Sequence, residues 1–278
     1  MVLTGMNASM DFSRRFGGLE RLYGTPGARR IYAAHVVVVG IGGVGSWAVE
    51  ALARSGVGRL TLIDLDHVSE SNINRQVHAL DATLGQAKVF AMRQRIAQIN
   101  PDCQVTCIEE FVDAGSWPGL LPVADPAAAP VGALAVIDAC DQVRAKTVMA
   151  AWAILSKIPF VSVGAAGGKR HAHLVDIDDL SRTTHDPLLA QLRYRLRKAH
   201  SAPREGRMIG VTCVFSREAV MQPDVSCAVE SENSGESTKD GSLNCHGYGS
   251  VVSVTATFGQ CAAGWVMDQI SLIAPSDG

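Results

Sequence analysis

A chain of 278 residues, 47% hydrophobic and 19% charged, has the length for one large α/β domain or two small ones, with a core of good size. Its formal net charge of −2 speaks against a wholly basic nucleic-acid-binding surface, though not against a local basic patch. Seven cysteines, an odd number with no Cys-x-x-Cys pair, leave a four-cysteine zinc site without support. With no apolar run between Met1 and Asp11, they predict a reducing cytoplasm.

Phe12 to Tyr32 is amphipathic and carries Arg14, Arg15, Arg21, Arg29 and Arg30. It predicts a helical arm over residues 1–34, broken at Gly17-Gly18 and again at Gly24-Thr-Pro26. His35 to Gly40 reads as a buried strand, and Val44 to Ser55 as a helix. Between them lies a turn with Gly40, Gly42, Gly43 and Gly45. Such a turn aims backbone N–H groups and the positive end of a helix dipole at one point, and it lets a phosphate approach the backbone. Asp64 ends the next strand, Arg59 to Asp64, about 20 residues on, where a ribose-binding acid belongs. Taken this far, a dinucleotide and ATP fit equally well.

A polar loop from Leu65 through Asp66, Asn72, Asn74, Arg75 and Gln76 follows. Gly85 to Asn100 has helical spacing and stops before Pro101, and Gln104 to Glu109 alternates as a third strand. Ser116 to Val131 holds four prolines and reads as an exposed connection. Leu134 to Asp138 is a fourth strand, Arg144 to Ser156 a helix, and Ile158 to Val163 a fifth strand ending in Gly164 to Gly168. This alternation predicts an α/β fold: a Rossmann-like, doubly wound, mostly parallel sheet with helices on both faces over residues 35–168.

Residues 169–278 break the rhythm and predict a smaller α+β part that completes the same domain and faces the substrate. His173 to Ile177 and Val211 to Phe215 are short strand-like runs, Pro187 to His200 reads as a helix, and Val229 to Ser242 is polar and Ser/Glu-rich. Gly241 to Met267 has no Asp, Glu, Lys or Arg, but its glycine, serine and threonine favour a helix over Ser250 to Ile270 buried on the sheet rather than a membrane span. Membrane association is not expected.

The residues that separate ATP from a dinucleotide come after the glycines. Arg75 and Lys88 bring the positive charge that a triphosphate needs, and Asp141 offers a hard oxygen suited to Mg²⁺. With Asp64, Asp66 and Asp138, they all fall at the C-terminal edge of the sheet, where open α/β sheets bind ligands.

Gly-x-Gly-Gly-x-Gly, Leu-Ile-Asp64-x-Asp66, Ser71-Asn72-x-Asn74-Arg75-Gln76, Gly85-x-x-Lys88 and Ile-Asp138-x-x-Asp141, in that order, resemble the ubiquitin-activating-enzyme-like (ThiF/MoeB) adenylating superfamily over about residues 15 to 165. Arg15-Phe-Gly-Gly-Leu-Glu-Arg-Leu-Tyr-Gly24, Gly-Ser46-Trp47, Asp186-Pro-Leu188, Gly210-Val-Thr-Cys-Val-Phe-Ser216 and Val254-Thr-Ala-Thr-Phe-Gly259 resemble one branch of it, the tRNA threonylcarbamoyladenosine dehydratases (TcdA/CsdL type).

The resemblance implies a role for each matching position. The glycine turn, Gly43 included, would back the ATP phosphates. Asp64 would hold the ribose hydroxyls, and Asp66 and Asn74 would also belong to the nucleotide site. Asn72, Arg75 and Lys88 would grip the phosphates, and Asp141 would act through Mg²⁺, so that Arg75, Lys88 and Asp141 carry the catalysis. It implies a homodimer in which an arginine of the partner's N-terminal arm, Arg15 or Arg21 by position, enters the site. The chemistry implied is attack of the threonylcarbamoyl carboxylate on the ATP α-phosphate, loss of pyrophosphate, and ring closure of the acyl-adenylate with loss of AMP.

Sulfur-carrier-activating members hold zinc through two Cys-x-x-Cys pairs, which this chain lacks, so no zinc is expected. Pro187 to Arg207 instead carries Arg193, Arg195, Arg197, Lys198, Arg204 and Arg207. Arg193 and Arg197 share one helix face and, with Lys198, are candidate tRNA contacts; a solvated helix face explains them equally well. The competing readings are an adenylyltransferase for a ubiquitin-like sulfur-carrier protein, a nucleotide-dependent module that docks tRNA or a sulfur-transfer protein, and an NAD-dependent oxidoreductase. The last leaves Arg75, Lys88 and Asp141 without a use.

Overall fold

The computed structural model describes residues 11–122, 133–204, 206–222 and 248–273. The predicted polar stretch 229–242, part of the proline-rich connection, and Cys227 and Cys245 lie outside the described residues.

Seven strands form one sheet: β1 (His35–Val39), β2 (Arg59–Ile63), β3 (Gln104–Ile108), β4 (Leu134–Asp138), β5 (Phe160–Val163), β6 (Val175–Asp179) and β7 (Thr212–Ser216). Their order is β3-β2-β1-β4-β5-β7-β6. All neighbours pair in parallel except β6, which closes one edge antiparallel to β7. The helices are α1 (Phe12–Phe16), α2 (Gly18–Ala33), α3 (Gly45–Arg54), α4 (Lys88–Ile99), α5 (Val143–Ser156), α6 (Pro187–Ala199) and α7 (Val252–Leu272).

The strand sequences explain the layering. In β1 every residue is buried, because side chains of period two meet helices on both faces. Val36 and Val38 join Leu60, Leu62 and Ile137 in a core shared with α3, α4 and α7. Val37 and Val39 join Ile63 and Val136 in the opposite core, shared with α5 and α6. Each such valine contributes about 1.5–3 kcal/mol relative to exposure.

The helical arm breaks where glycine and proline predict: α1 ends at Gly17, and Gly24 puts a left-handed kink, φ +69°, into α2 just before Pro26. The chargeless C-terminal stretch is α7. Val254, Phe258, Ala262, Val266 and Ile270 form its buried stripe at four-residue spacing. Gly259 lets it close on α3, since a Cβ there would stand 2.5 Å from the Val44 carbonyl oxygen. Among the described residues no helix is long and apolar enough to cross a membrane.

The site is positioned by the change of direction between β1 and β4. From β1 the chain builds outward through β2 and β3; from β4 it builds the other way through β5. Their C-terminal ends therefore part, and a crevice opens above Gly40 and Ala139.

Candidate active site

The crevice is lined by the glycine turn, the ends of β2, β3 and β4, and the loops after β4 and β5; its wall includes Gly42, Gly43, Asp64, Arg75, Lys88 and Asp141. These residues come from segments up to 99 residues apart in the chain. Only the parallel sheet brings them together.

The four glycines of the turn divide into two kinds. Gly40 sits at φ +85°, and a Cβ on it would meet the Cys140 amide nitrogen at 2.8 Å; a Cβ on Gly45 would overlap the Gly40 carbonyl oxygen at 1.8 Å. These two are required by the backbone itself. Gly42 and Gly43 face the crevice. A Cβ on Gly42 meets nothing closer than the Gln76 side-chain nitrogen at 4.0 Å, and one on Gly43 meets the Arg75 methylenes at 3.3 Å. Their N–H groups make no hydrogen bond among the described residues and lie just before the N-terminus of α3. That is the form of an anion cradle.

Asp64 locks this turn to β2. Its Oδ2 accepts the Ile41 N–H at 2.6 Å, and its Oδ1 accepts the Asp66 N–H at 2.8 Å. Burial raises its pKa, while Lys88 and these two N–H donors act against the rise. Lys88 opens α4, is 6% exposed, and donates from Nζ to Asp66 Oδ2 at 2.7 Å. Asp66 therefore serves Lys88 in this state.

Arg75 is fixed at its backbone: its carbonyl oxygen accepts from Trp47 Nε1 at 2.9 Å and from Thr255 Oγ1 at 3.5 Å. Its guanidinium donates to the Ser71 carbonyl oxygen at 2.7 Å and to Asn74 Oδ1 at 2.9 Å. Burial lowers its pKa, but an arginine stays charged. Asp141 makes no hydrogen bond or ion pair among the described residues. Glu110 on the same wall is likewise unpaired among the described residues; a carboxylate so placed is a hard oxygen donor of the kind that would suit Mg²⁺ beside phosphates. Among the described residues no group of three His, Cys, Asp or Glu comes together.

Beneath the crevice lies a saturated polar floor. Lys146 and Asp138 are both fully buried and pair at 3.0 Å. Lys146 Nζ also donates to the Val163 carbonyl oxygen at 2.7 Å, and Ser162 Oγ donates to Asp138 Oδ2 at 2.7 Å. Burial lowers the Lys146 pKa most; against it act the charge and hydrogen bond of Asp138 together with the nearby thiols, and the net shift is upward. The same burial, reinforced by Asp138, pushes the neighbouring Cys140 thiol well up and leaves it protonated. Farther along, Asp186 caps α6 through the Leu189 N–H at 3.0 Å and accepts the Ala165 N–H at 2.9 Å, which ties the loop after β5 to that helix.

Other expected positions fall elsewhere. Gly45 packs within the turn rather than on the wall. Asn72 is buried and turns into its own loop, where Oδ1 accepts the Ser69 N–H at 3.1 Å and closes a capping box. Asn74 bridges from Arg75 to the Ser250 carbonyl oxygen at 3.0 Å, before α7. Neither Arg15 nor Arg21 lines the crevice of this chain; Arg15 Nη1 donates to the Ile99 carbonyl oxygen at 2.7 Å, and Arg21 is exposed.

On α6, Arg193 turns inward, and its Nη1 donates to the Leu180 carbonyl oxygen at 2.8 Å and to Thr183 Oγ1 at 2.9 Å. Arg197 Nε donates to the Pro203 carbonyl oxygen at 3.1 Å. Lys198 is exposed. Lys146 and Ser162 carry no signal in the sequence, and Thr255 stands only within the 254–259 motif. Gln76, quoted only within a motif, lines the wall with a buried, unpartnered Oε1. Gln76 adjoins Arg75 and Thr255 sits in the quoted 254–259 motif, and these are the signals that could have found them.

The ThiF family model matches residues 13–276. The tRNA threonylcarbamoyladenosine dehydratase of Escherichia coli (strain K12) is 41% identical over 269 residues, 95% of this chain and 96% of that protein. That of Haemophilus influenzae is 39% identical over 272 residues, 97% of this chain and 98% of that protein. The crystal structure of the Escherichia coli tRNA N6-threonylcarbamoyladenosine dehydratase in complex with ATP superposes with a TM-score of 0.78 at 40% identity, covering 93% of this chain and 94% of that one.

Proposed function

The chain belongs to the ThiF family, and we infer that it catalyses the ATP-dependent dehydration of threonylcarbamoyladenosine in tRNA through an acyl-adenylate. The observation that carries this is an anion cradle, Gly42 and Gly43, with Arg75, Lys88 and an unpaired Asp141 around it, in a chain similar to those dehydratases over its whole length.

ATP lies with its phosphates on the Gly42 and Gly43 N–H groups and its ribose toward Asp64. Lys88 exchanges Asp66 for phosphate oxygen, and Arg75 exchanges the Asn74 oxygen for another. The threonylcarbamoyl carboxylate attacks the α-phosphorus, a P–O bond forms, and the bond to pyrophosphate breaks. A nitrogen of the same side chain then attacks the activated carbonyl, and AMP departs with the former carboxylate oxygen. Ring closure is intramolecular and needs no protein nucleophile, which agrees with a Cys140 thiol held protonated. Asp141 would hold Mg²⁺, whose charge offsets that of the phosphates.

Two cations, Arg75 and Lys88, share the crevice wall with four carboxylates, Asp64, Asp66, Glu110 and Asp141. A triphosphate there calls for more positive charge than one protomer supplies. This supports both Mg²⁺ and a homodimer in which Arg15 or Arg21 of one protomer reaches the crevice of its partner.

The test is incubation with tRNA bearing threonylcarbamoyladenosine, ATP and Mg²⁺. We expect release of pyrophosphate and AMP in equal amounts, and a nucleoside lighter by one water. Pyrophosphate released only with a ubiquitin-like carrier protein overturns the reading.

A further inference from the structure

We propose that the outer face of α6 and the first turn of α5 form the docking track for the RNA phosphate backbone, with Arg144, Arg195 and Lys198 as phosphate contacts and Tyr194 as a base-stacking platform. This rests on the tRNA reading above but assigns a surface and residues outside the crevice.

The geometry sorts the basic residues of α6 into two sets. Arg193 and Arg197 spend their guanidinium groups on the Leu180, Thr183 and Pro203 carbonyl oxygens and thereby hold the ends of their own segment together. Arg195 and Lys198, three residues apart and so on one face, point outward and line a groove against α5 with Arg144 and His200. Among the described residues Arg144 and Arg195 make no hydrogen bond or ion pair, and Lys198 has only the Tyr194 ring, 5.8 Å from its Nζ to the centroid. Tyr194 is 62% exposed.

Three cations without carboxylate partners are a marked local excess in a chain of net charge −2. The one acid on the groove, Asp113, has its Oδ1 taken by the Gly115 and Ser116 N–H groups at 2.7 and 2.8 Å. An exposed aromatic among free cations suits RNA, whose unstacked bases take aromatic faces while the phosphates take the charge.

The groove also lies where a substrate of this size must run. Arg144 is three residues beyond Asp141, so the track starts at the crevice rim and leads away along α6. An adenosine held in the crevice carries its flanking phosphates onto Arg144 first, then onto Arg195 and Lys198.

Fluorescence anisotropy with labelled tRNA, measured across salt concentrations, tests the track. The Arg195→Glu/Lys198→Glu double variant is expected to bind about tenfold or more weakly, with a log–log salt slope shallower by about 2. Tyr194→Ala weakens binding severalfold and leaves the slope unchanged. Arg93→Glu, on the exposed face of α4, leaves both unchanged and controls for a charge reversal placed elsewhere on the surface. Thermal melting reports folding, and if the double variant melts early, Lys198→Gln alone must still flatten the slope by about 1.

Undiminished binding by these variants, or an equal loss in Arg93→Glu, overturns the track. Pyrophosphate release by the unmodified protein is scored in parallel. Turnover with undiminished binding by the variants removes the track alone. Binding through these residues without turnover removes the reaction alone.

Discussion

The rim of the crevice and the floor beneath it are built from similar residue types but left in opposite states. At the rim, the Gly42 and Gly43 N–H groups and the Asp141 carboxylate have no partner among the described residues, and Lys88 and Arg75 hold partners they can trade. In the floor, Asp138, Lys146 and Ser162 are fully buried and bonded to one another and to strand carbonyls. Charge alone does not mark a catalytic group. Unspent hydrogen-bonding capacity facing a ligand does, and the floor keeps the rim in place by having none.

The largest effect expected is on the floor. Lys146→Met leaves Asp138 buried without its counter-charge, which costs about 3–5 kcal/mol of stability, read as a lower urea midpoint at unchanged m. Adding Asp138→Leu recovers most of this, because a buried pair is replaceable by apolar packing. If Lys146→Met is as stable as the parent, the floor is not a structural support and the contrast fails.

On the rim, Asp141→Asn is expected to cut turnover by about two to three orders of magnitude, as the removal of a group that supports the charged transition state does. The melting temperature stays within what about 0.5 kcal/mol allows, since Asp141 has no partner to lose. A shift beyond that would place Asp141 with the floor.

A third group looks like floor and lacks its partners. His78 is 1% exposed, and neither ring nitrogen finds a partner among the described residues. Burial first, then the charges of Lys88 and Arg95, push its pKa down to about 4. The folded form therefore favours the neutral ring. The stability this brings is fully present above the unfolded value of about 6.5, and it is lost as pH falls from there toward about 4. The acid limb amounts to at most about 3 kcal/mol. His78→Leu should flatten it in urea titrations between pH 7 and 4; an unchanged limb assigns it to other groups.

How far the sequence carried can be judged from particular elements. β1, β2, β4 and β5 were legible because a strand buried on both faces is a near-continuous apolar run, and the kink in α2 because glycine and proline act locally. The antiparallel placement of β6 at the edge was not, because it depends on which strand is free to pair. Asp64, Arg75, Lys88 and Asp141 could be placed on the crevice wall because each lies just past the C-terminal end of a strand, on the loop that follows, or at the start of the next helix, all at the same sheet edge. Lys146 was missed, since in sequence it is an ordinary helix lysine; only the fold puts it under Asp138. For the same reason the charge run on α6 did not say that Arg193 faces the Leu180 carbonyl while Arg195 faces water.

The smallest effect sharpens the comparison most, because it separates two glycines that look alike in sequence. Gly40→Ala asks a side chain to adopt φ +85° and sets its Cβ 2.8 Å from the Cys140 nitrogen, so it should disrupt the turn and the β1–β4 junction below it. Gly42→Ala meets only open space, with the Gln76 nitrogen 4.0 Å away, and its φ lies outside the left-handed region. Its melting temperature should hold or rise slightly, by what about 0.4–1 kcal/mol allows, because alanine loses less freedom on folding. What Gly42→Ala loses is the approach of phosphate to its own N–H. Isothermal titration with a non-hydrolysable ATP analogue should show about tenfold weaker binding, the worth of one charge-assisted hydrogen bond of about 1.5 kcal/mol. Unchanged affinity would make Gly42 a packing glycine like Gly40, and it would move the anion cradle to the remaining N–H groups of the turn.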